Sequence, residues 1–381
     1  MKWTAIIIGF LGILLTVKPF IRSTNWFIRI GDFPRIQVLL CLIVSLLLLS
    51  FGFDYRNAFD DIFAALLVVC LFYQLQTILP FTVLVRKEVQ SARKQNDHAD
   101  SISLLIFNVL MENDKYEDAL QLILRYDSDI VLLAEPDENW ARHLEPLKEK
   151  YPHTEACPLD NRYGMLLYSR LPLHDTELQF LIQDDIPSIH TQVRLASGRD
   201  VALHGVHPRP PMPGENTRST ERDGELLLVG KAIRESNLPC IVAGDLNDVA
   251  WSRTTQLFKR ISGLLDPRIG RGFYNTFHAH YPFLRVPLDH VFHSPHFRLI
   301  RIERINDACG SDHFPVYIKL SLEPDATAIQ AKPYADDDET EEAHEVIGTA
   351  LKDNRYRRLS FRNLREKIGK LKNKISRKKR K

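Results

Sequence analysis

Cysteine is scarce in this 381-residue chain and nowhere paired. The five thiols stand at 41, 70, 157, 240 and 309, with no Cys-x-x-Cys among them, and the first two fall in apolar runs. This excludes a disulfide framework and a thiolate zinc site, and it fits a reducing compartment. An overall excess of one charge is missing too: 50 Lys and Arg stand against 48 Asp and Glu, a net of +2. No internal repeat runs through the chain. A full dinucleotide fingerprint is also lacking, since Ile269-Gly270-Arg271-Gly272 holds only two of its glycines and reads as a turn. With 45% hydrophobic and 26% charged residues, a wholly disordered or collagen-like chain is excluded.

The near-neutral average hides a division along the chain. The tail Leu351–Lys381 carries 15 basic and 2 acidic residues, Glu323–Ala350 carries 9 acidic and 1 basic, and residues 100–322 carry a net of −7. A duplex-binding core leans on clustered Lys and Arg, so the central region is not built as a nucleic-acid surface.

What is present first is three apolar runs: Trp3–Val17, Ile36–Phe53 and Ile62–Val85. The second and third have the length of membrane spans. The first has the apolar centre of a signal peptide, yet Lys18-Pro19-Phe20-Ile21-Arg22 offers no small-x-small cleavage site. It reads as an uncleaved helix with Lys18 reaching the interface. The loop after the first run holds Lys18, Arg22, Arg29 and Arg35; Arg86, Lys87, Arg93 and Lys94 follow the third; Arg56 alone lies between the second and third. The positive-inside rule therefore predicts a multi-pass protein of the cell (inner) membrane with its C-terminal part in the cytoplasm. The expected organisation is three transmembrane helices over 1–85, a polar linker over 86–100, a catalytic domain over 101–322, an acidic low-complexity linker over 323–350 and a basic tail over 351–381. The last two are expected to be poorly ordered, with Leu359–Ile375 able to form an amphipathic helix on a surface.

Within 101–322, short apolar runs alternate with helical patterns. Strands are predicted at Ile102–Phe107, Ile130–Ala134, Met165–Tyr168, His190–Val193, Val201–His207, Cys240–Ala243, Leu288–Phe292 and Val316–Leu320. Helices are predicted at Tyr116–Tyr126 and Glu225–Glu235. Six of the strands begin or end in polar side chains able to do chemistry. Asn108 closes the first and Glu135 follows the second. His207 ends the Val201–His207 run. Gly244-Asp245-Leu246-Asn247 follows Cys240–Ala243, Asp289 sits inside an apolar run, and Ser311-Asp312-His313-Phe314-Pro315 precedes the last strand. Each alone has a plain structural reading: Asp and Asn favour turns, and a lone histidine is commonly a satisfied core residue. Asp289 is the exception, because an acid in an apolar strand is costly unless paired or at a site. The histidines 278, 280, 290, 293 and 296 match no helical zinc spacing. Arg218, Arg222 and the Pro-rich loop His207–Pro213 stand as candidates to border a pocket.

Taken in order, these strand ends resemble the endonuclease/exonuclease/phosphatase superfamily, the metal-dependent phosphodiesterases that include DNase I-like nucleases, sphingomyelinases and inositol-phosphate phosphatases. Gly-Asp-x-Asn at 244–247 and Ser-Asp-His-x-Pro at 311–315 are the specific motifs. Tyr163–Pro172 and Asn275-Thr276-Phe277 support them. The resemblance covers Ser101–Leu322 and implies an α/β fold: a four-layer α/β sandwich, two packed β-sheets flanked by helices, here preceded by the three transmembrane helices of a membrane-anchored bacterial member. It implies a Mg²⁺ or Mn²⁺ site at Glu135 with Asn108 and Asp312, cations that prefer hard oxygen ligands. It gives Asp245 the attacking water, His207 and Asn247 the phosphate oxygens, and His313, oriented by Asp289, the transition state. Three positions depart from the pattern: Ala134-Glu135-Pro136 lacks the usual Gln before Glu, Asp248 replaces a small residue, and His290 replaces an aromatic one. Asp248 would add negative charge near the phosphate.

The expected activity is metal-dependent hydrolysis of a phosphoester, as a phosphodiesterase or phosphatase acting on lipid headgroups or soluble phosphate esters. Two other functions compete: a nuclease whose basic tail supplies affinity for nucleic acid, and a non-catalytic membrane scaffold that binds phosphorylated ligands. Membrane lipid is the expected partner of the apolar helices, and of the tail by its charge.

Overall fold

The computed structural model describes residues 1–54, 57–93, 98–323 and 325–353. Arg56, Lys94 and the basic tail from 354 onward, with its Leu359–Ile375 segment, lie outside the described residues.

The N-terminal part holds α1 (Lys2–Val17), a short α2 (Trp26–Arg29), α3 (Arg35–Ser50) and α4 (Ala58–Ile78). Lys2–Phe20 and Ala58–Phe81 are long and apolar enough to cross a membrane; Trp26–Asp32 and Arg35–Ser50 make up a third such length only as a pair bent by 71°. Helix α4 starts four residues before the apolar run, because Asn57 caps it by accepting from the N–H of Phe59 and Lys2 pairs with Asp60 at 2.6 Å. The helices meet closely where Gly9 and Gly12 leave room for Ser45 and Leu42.

The catalytic region places β1 (Ser101–Asn108), α5 (Tyr116–Tyr126), β2 (Ile130–Ala134), α6 (Glu138–His143), β3 (His153–Cys157) and β4 (Met165–Ser169) before β5 (Leu173–Gln179), β6 (Ser188–Arg194) and β7 (Asp200–Gly205). Then follow α7 (Thr220–Glu235), β8 (Cys240–Asp245), α8 (Arg253–Ser262), β9 (Asp289–His293), β10 (Phe297–Arg304), β11 (Val316–Leu322) and α9 (Ala326–Ile329). One sheet runs β10-β11-β1-β2-β4-β3 and the other β5-β6-β7-β8-β9. Both are mixed: β1 pairs with β2, and β7 with β8, in parallel.

Period-two alternation assembles the layers. Ile102, Leu104 and Ile106 of β1 meet Leu203 and Ile241 between the sheets. Leu105 and Phe107 point the other way, to α5 and Trp140. Cys240 and Val242 face α7 and α8. Strands buried on both faces read as continuous apolar runs, which is why their sequences were so uniform.

Two expected linkers are built into the fold. In 86–100, Val89 is buried in the inter-sheet core, and Glu88 pairs with Lys259 at 3.0 Å. In the acidic 323–350 stretch, residues 337–353 are helical. Ala343 and Ile347 bury against the α7–α8 layer, and Ala350 lies where any side chain on Gly224 would stand. Arg260 pairs with Glu339, and Arg253 with Glu342. The acidic residues therefore hold a docked helix in place.

On the β6–β7 ladder, His190 faces His204, and one Nδ1 donates to the other at 2.6 Å. Burial holds His204 down to about 3 and His190 to about 4. Unfolded imidazoles take up a proton near pH ~6.5, so below that value the unfolded chain binds more protons and stability falls. The melting temperature in detergent is expected to drop on going from pH 7 to pH 5, with a shallower drop in His204→Leu; an equal slope would show that the pair is not responsible.

Candidate active site

The parallel pairs bring the C-terminal ends of β1 and β2, from one sheet, to those of β7 and β8, from the other. Asn108 is the last residue of β1 and Glu135 the first after β2. Glu135 is held at φ +64, with its N–H donating to the carbonyl of Gly164. Asp245 ends β8 directly opposite Asp289, the first residue of β9. Gly244 takes φ +141, and a Cβ there would lie 2.0 Å from the Val206 carbonyl oxygen. Gly244→Ala is therefore expected to cost well over ~1 kcal/mol and to displace Asp245, read out as a lower melting temperature together with lost turnover.

A continuous chain of polar contacts results. Asn108 Nδ2 donates to Glu135 Oε1 at 2.7 Å and to Asp245 Oδ2 at 3.0 Å. Its Oδ1 accepts from the N–H of Leu110 at 3.1 Å. In this orientation the Asn108 amide supplies its donors to two carboxylates. His313 Nδ1 donates to Asp289 Oδ2 at 2.7 Å, and its Nε2 stands 3.6 Å from Asp245 Oδ2. His207 Nε2 lies 4.0 Å from Glu135 Oε1. The N–H of Asn247 donates to Asp245 Oδ1 at 2.9 Å, and one of its two amide N–H groups is spent on the Pro208 carbonyl at 3.0 Å. Asp312 lines the same cavity, so all eight residues singled out in the sequence meet at one place.

Electrostatics divide the group. Burial pushes Glu135 up to about 7, helped by the charges of Asp245 and Asp312 and opposed by Asn108 and His313. Burial also opposes charge on Asp245, but His313 first, then the N–H of Asn247 and Asn108, outweigh it and hold this carboxyl below the usual range. On His313 burial disfavours the proton, yet Asp289 and Asp245 prevail and raise it to about 10. Burial keeps His207 neutral, the direction opposite to His313. At neutral pH the site thus holds an anionic Asp245 beside a cationic His313.

The donor set suits a hard divalent cation. The ligand atoms of Glu135, His207 and Asp245 lie within 4.8 Å of one another, as do those of Asp245, Asp289 and His313. Glu135 is pressed toward protonation by burial first and then by its anionic neighbours, and a bound dication would favour its charged form against both. Among the described residues no such trio includes histidines 278, 280, 290, 293 or 296. His290 is instead bonded to Arg268 and to the Asp248 carbonyl.

The sequence model of the Endonuclease/Exonuclease/phosphatase family matches residues 105–313, more than half of the chain and the span that contains every one of these side chains. The chain belongs to that family. Its members are metal-dependent phosphoester hydrolases, and this chain is an enzyme of that kind. Among solved structures, an endonuclease/exonuclease/phosphatase from Beutenbergia cavernae is 18% identical, over 59% of this chain and 72% of that one, at a TM-score of 0.48. D. rerio TDP2 complexed with single strand DNA product is 19% identical, over 58% and 99%, at 0.48. The mannosyl-6-phosphatase of Bacteroides thetaiotaomicron is 19% identical, over 57% and 99%, at 0.45. No curated protein matches the chain.

One departure from the family motifs acquires a purpose in this member. Asp248 adds no charge to the phosphate side. It is buried, 3.2 Å from Arg222 Nη2 and 3.9 Å from Arg29 Nη2, and it accepts from Ser252. Arg222 also donates to the Asn247 carbonyl at 2.7 Å. Of the pocket candidates, Pro210–Pro213 line the cavity, whereas Arg222 lies buried beneath it. Sequence reasoning assigned no role to Ser311, although it stands in the quoted motif. Its Oγ donates to the Asn108 carbonyl and accepts from the N–H of His313, tying two strand ends together.

Proposed function

We propose that this chain is a membrane-anchored hydrolase of phosphoesters that depends on Mg²⁺ or Mn²⁺. The observation that carries the reading is the convergence of Asn108, Glu135, His207, Asp245, Asn247, Asp289, Asp312 and His313 around one cavity with Asp245 anionic and His313 cationic. Glu135 and Asp312, with Asp245 and His207 beside them, would hold the cation, which when bound supplies positive charge to the non-bridging phosphate oxygens. Asp245 orients a water and takes its proton at Oδ2. Asn247 and neutral His207 donate hydrogen bonds to phosphate oxygens. Protonated His313, fixed in one tautomer by Asp289, faces the charge that builds up on phosphorus-bound oxygen as the ester bond lengthens. The water oxygen bonds to phosphorus as the ester P–O bond breaks, the leaving oxygen takes a proton from solvent and departs as the alcohol, and Asp245 returns its proton to solvent.

Full-length protein in detergent is expected to hydrolyse 4-nitrophenyl phosphate or bis(4-nitrophenyl) phosphate with added Mg²⁺ and to stop on adding EDTA. A folded protein that turns over neither ester and binds no divalent cation would refute the reading; binding without turnover would make it a scaffold.

For topology we infer three crossings with the catalytic domain in the cytoplasm. The C-terminal ends of α1 and α4 and the start of α3 share the end that carries the domain, and Lys18, Arg29 and Arg35 cluster there; Lys18 donates to the Phe27 carbonyl and Arg35 pairs with Asp32. A reporter fused after Lys381 that works only when exported would overturn this orientation.

A further inference from the structure

The cavity that holds the catalytic side chains has a volume of about 440 Å³, and its second wall does not come from the catalytic domain. Trp26, Arg29, Ile30 and Phe33 form it, all from the segment that joins the first two apolar helices. This segment is bent by 71° against Arg35–Ser50 and is continuous with it. It is fastened to the domain at several points. Trp26 N–H donates to the Thr217 carbonyl and Ser219 N–H to the Thr24 carbonyl. Trp251 Nε1 donates to the Asp32 carbonyl at 2.7 Å, and Arg29 Nη2 donates to Thr254 at 2.8 Å. Phe33 packs with Phe81, Trp251 and Phe277 in a shared apolar cluster. The wall therefore stands at a fixed position opposite Asp245 and His313.

Its chemistry is apolar and its outer edge is bare. Ile30 is 46% exposed and Met212, from the facing loop, 47%. Beyond them Phe283 and Leu284 are 88% and 62% exposed. The Phe283 carbonyl accepts from Gln37, in the first turn of α3, so these side chains sit at the level where the apolar helix begins. The basic side chains that line the cavity are already engaged: Arg162 with Glu112, and Arg29 with Asp32 and Thr254. A nucleic-acid backbone would find no free basic track there, and a free sugar phosphate would leave the wall unused.

We propose that the substrate is a lipid phosphoester drawn from the bilayer, its phosphate at the Asp245–His313 end and its hydrocarbon against Trp26, Ile30 and Phe33. This rests on the phosphoester-hydrolase reading. The exposed Phe283 and Leu284 then lie in the membrane interface, and the cavity mouth opens where lipid is present.

The test uses the full-length protein in mixed micelles with Mg²⁺. The probes are dioleoyl phosphatidic acid and dioleoyl phosphatidylglycerol, their chain-free counterparts glycerol 3-phosphate and glycerophosphoglycerol, and a single-stranded DNA 20-mer. For the ester class that is cleaved, kcat/KM is expected to be roughly tenfold or more higher for the dioleoyl form, since each buried methylene adds a factor of a few. Trp26→Ala and, separately, Ile30→Asn are expected to lower the dioleoyl-to-chain-free ratio at least about fivefold, with the melting temperature checked for each. Equal rates with and without chains, a preference for DNA, or an unchanged ratio in a folded wall variant would overturn the lipid assignment and leave the hydrolase reading standing. No hydrolysis of any probe, nor of 4-nitrophenyl esters, would mean that the hydrolase reading itself has failed and the lipid assignment with it.

Discussion

Asp245→Ala lowers kcat/KM for the best substrate by roughly 10³-fold or more, the scale of a lost general base together with part of a cation site. Three observations lead to this expectation. The carboxylate is fully buried at the end of β8, it is held anionic by His313 and the N–H of Asn247, and it shares the Asn108 amide with Glu135. His313→Ala is expected to fall by a similar factor, because its imidazole, raised to about 10, is the cationic side chain whose Nε2 stands 3.6 Å from Asp245. The double variant should be only slightly worse than either single one, since residues that act as a unit are not additive. Steady-state kinetics check this, with melting temperature as the control for folding. Retention of more than a tenth of wild-type kcat/KM in Asp245→Ala would remove it from the role of base.

Arg222→Met is the second large effect, and it falls on stability first. Arg222 is 1% exposed. Its Nε and Nη2 both donate to Asp223 Oδ1, its Nη1 donates to the Asn247 carbonyl, and its Nη2 stands 3.2 Å from Asp248. Removing it leaves two buried carboxylates with Arg29 as the remaining cation, and breaking a buried pair from one side costs about 3–5 kcal/mol. Lysine does not replace it, because one ammonium cannot span three acceptors set in a fork. Turnover should fall as well, since the loop carrying Asn247 loses its anchor. Chemical denaturation of the full chain measures the first effect. A loss below about 1 kcal/mol would show that the network is not under tension between these charges.

Much of the catalytic region was legible from local sequence. Central strands β1, β2, β4, β8 and β11 are buried on both faces, so their residues are predominantly apolar. The chemistry then stood out as the first polar side chain at each strand end. Edge strands were not legible for the same reason in reverse. In β5, His174, Asp175 and Glu177 face water, and in β10 the charges of Arg301, Glu303 and Arg304 break the apolar pattern. The helix over 337–353 was hidden because its buried stripe is sparse, Ala343, Ile347 and Ala350, among acids whose partners Arg253 and Arg260 lie far away in sequence. Asp248 looked like excess charge because Arg29 and Arg222 come to it from distant elements.

The sequence by itself determined the apolar lengths at the N-terminus, the order of the catalytic motifs and the family, because burial on both strand faces and polar residues at strand ends are local patterns. Only the tertiary structure decided that Asn108 bridges two carboxylates, that Asp245 and His313 carry opposite charges, and that the loop between the first two apolar helices walls the active site. Those three depend on distances between segments that are separate in the sequence, and a linear pattern carries no record of such distances.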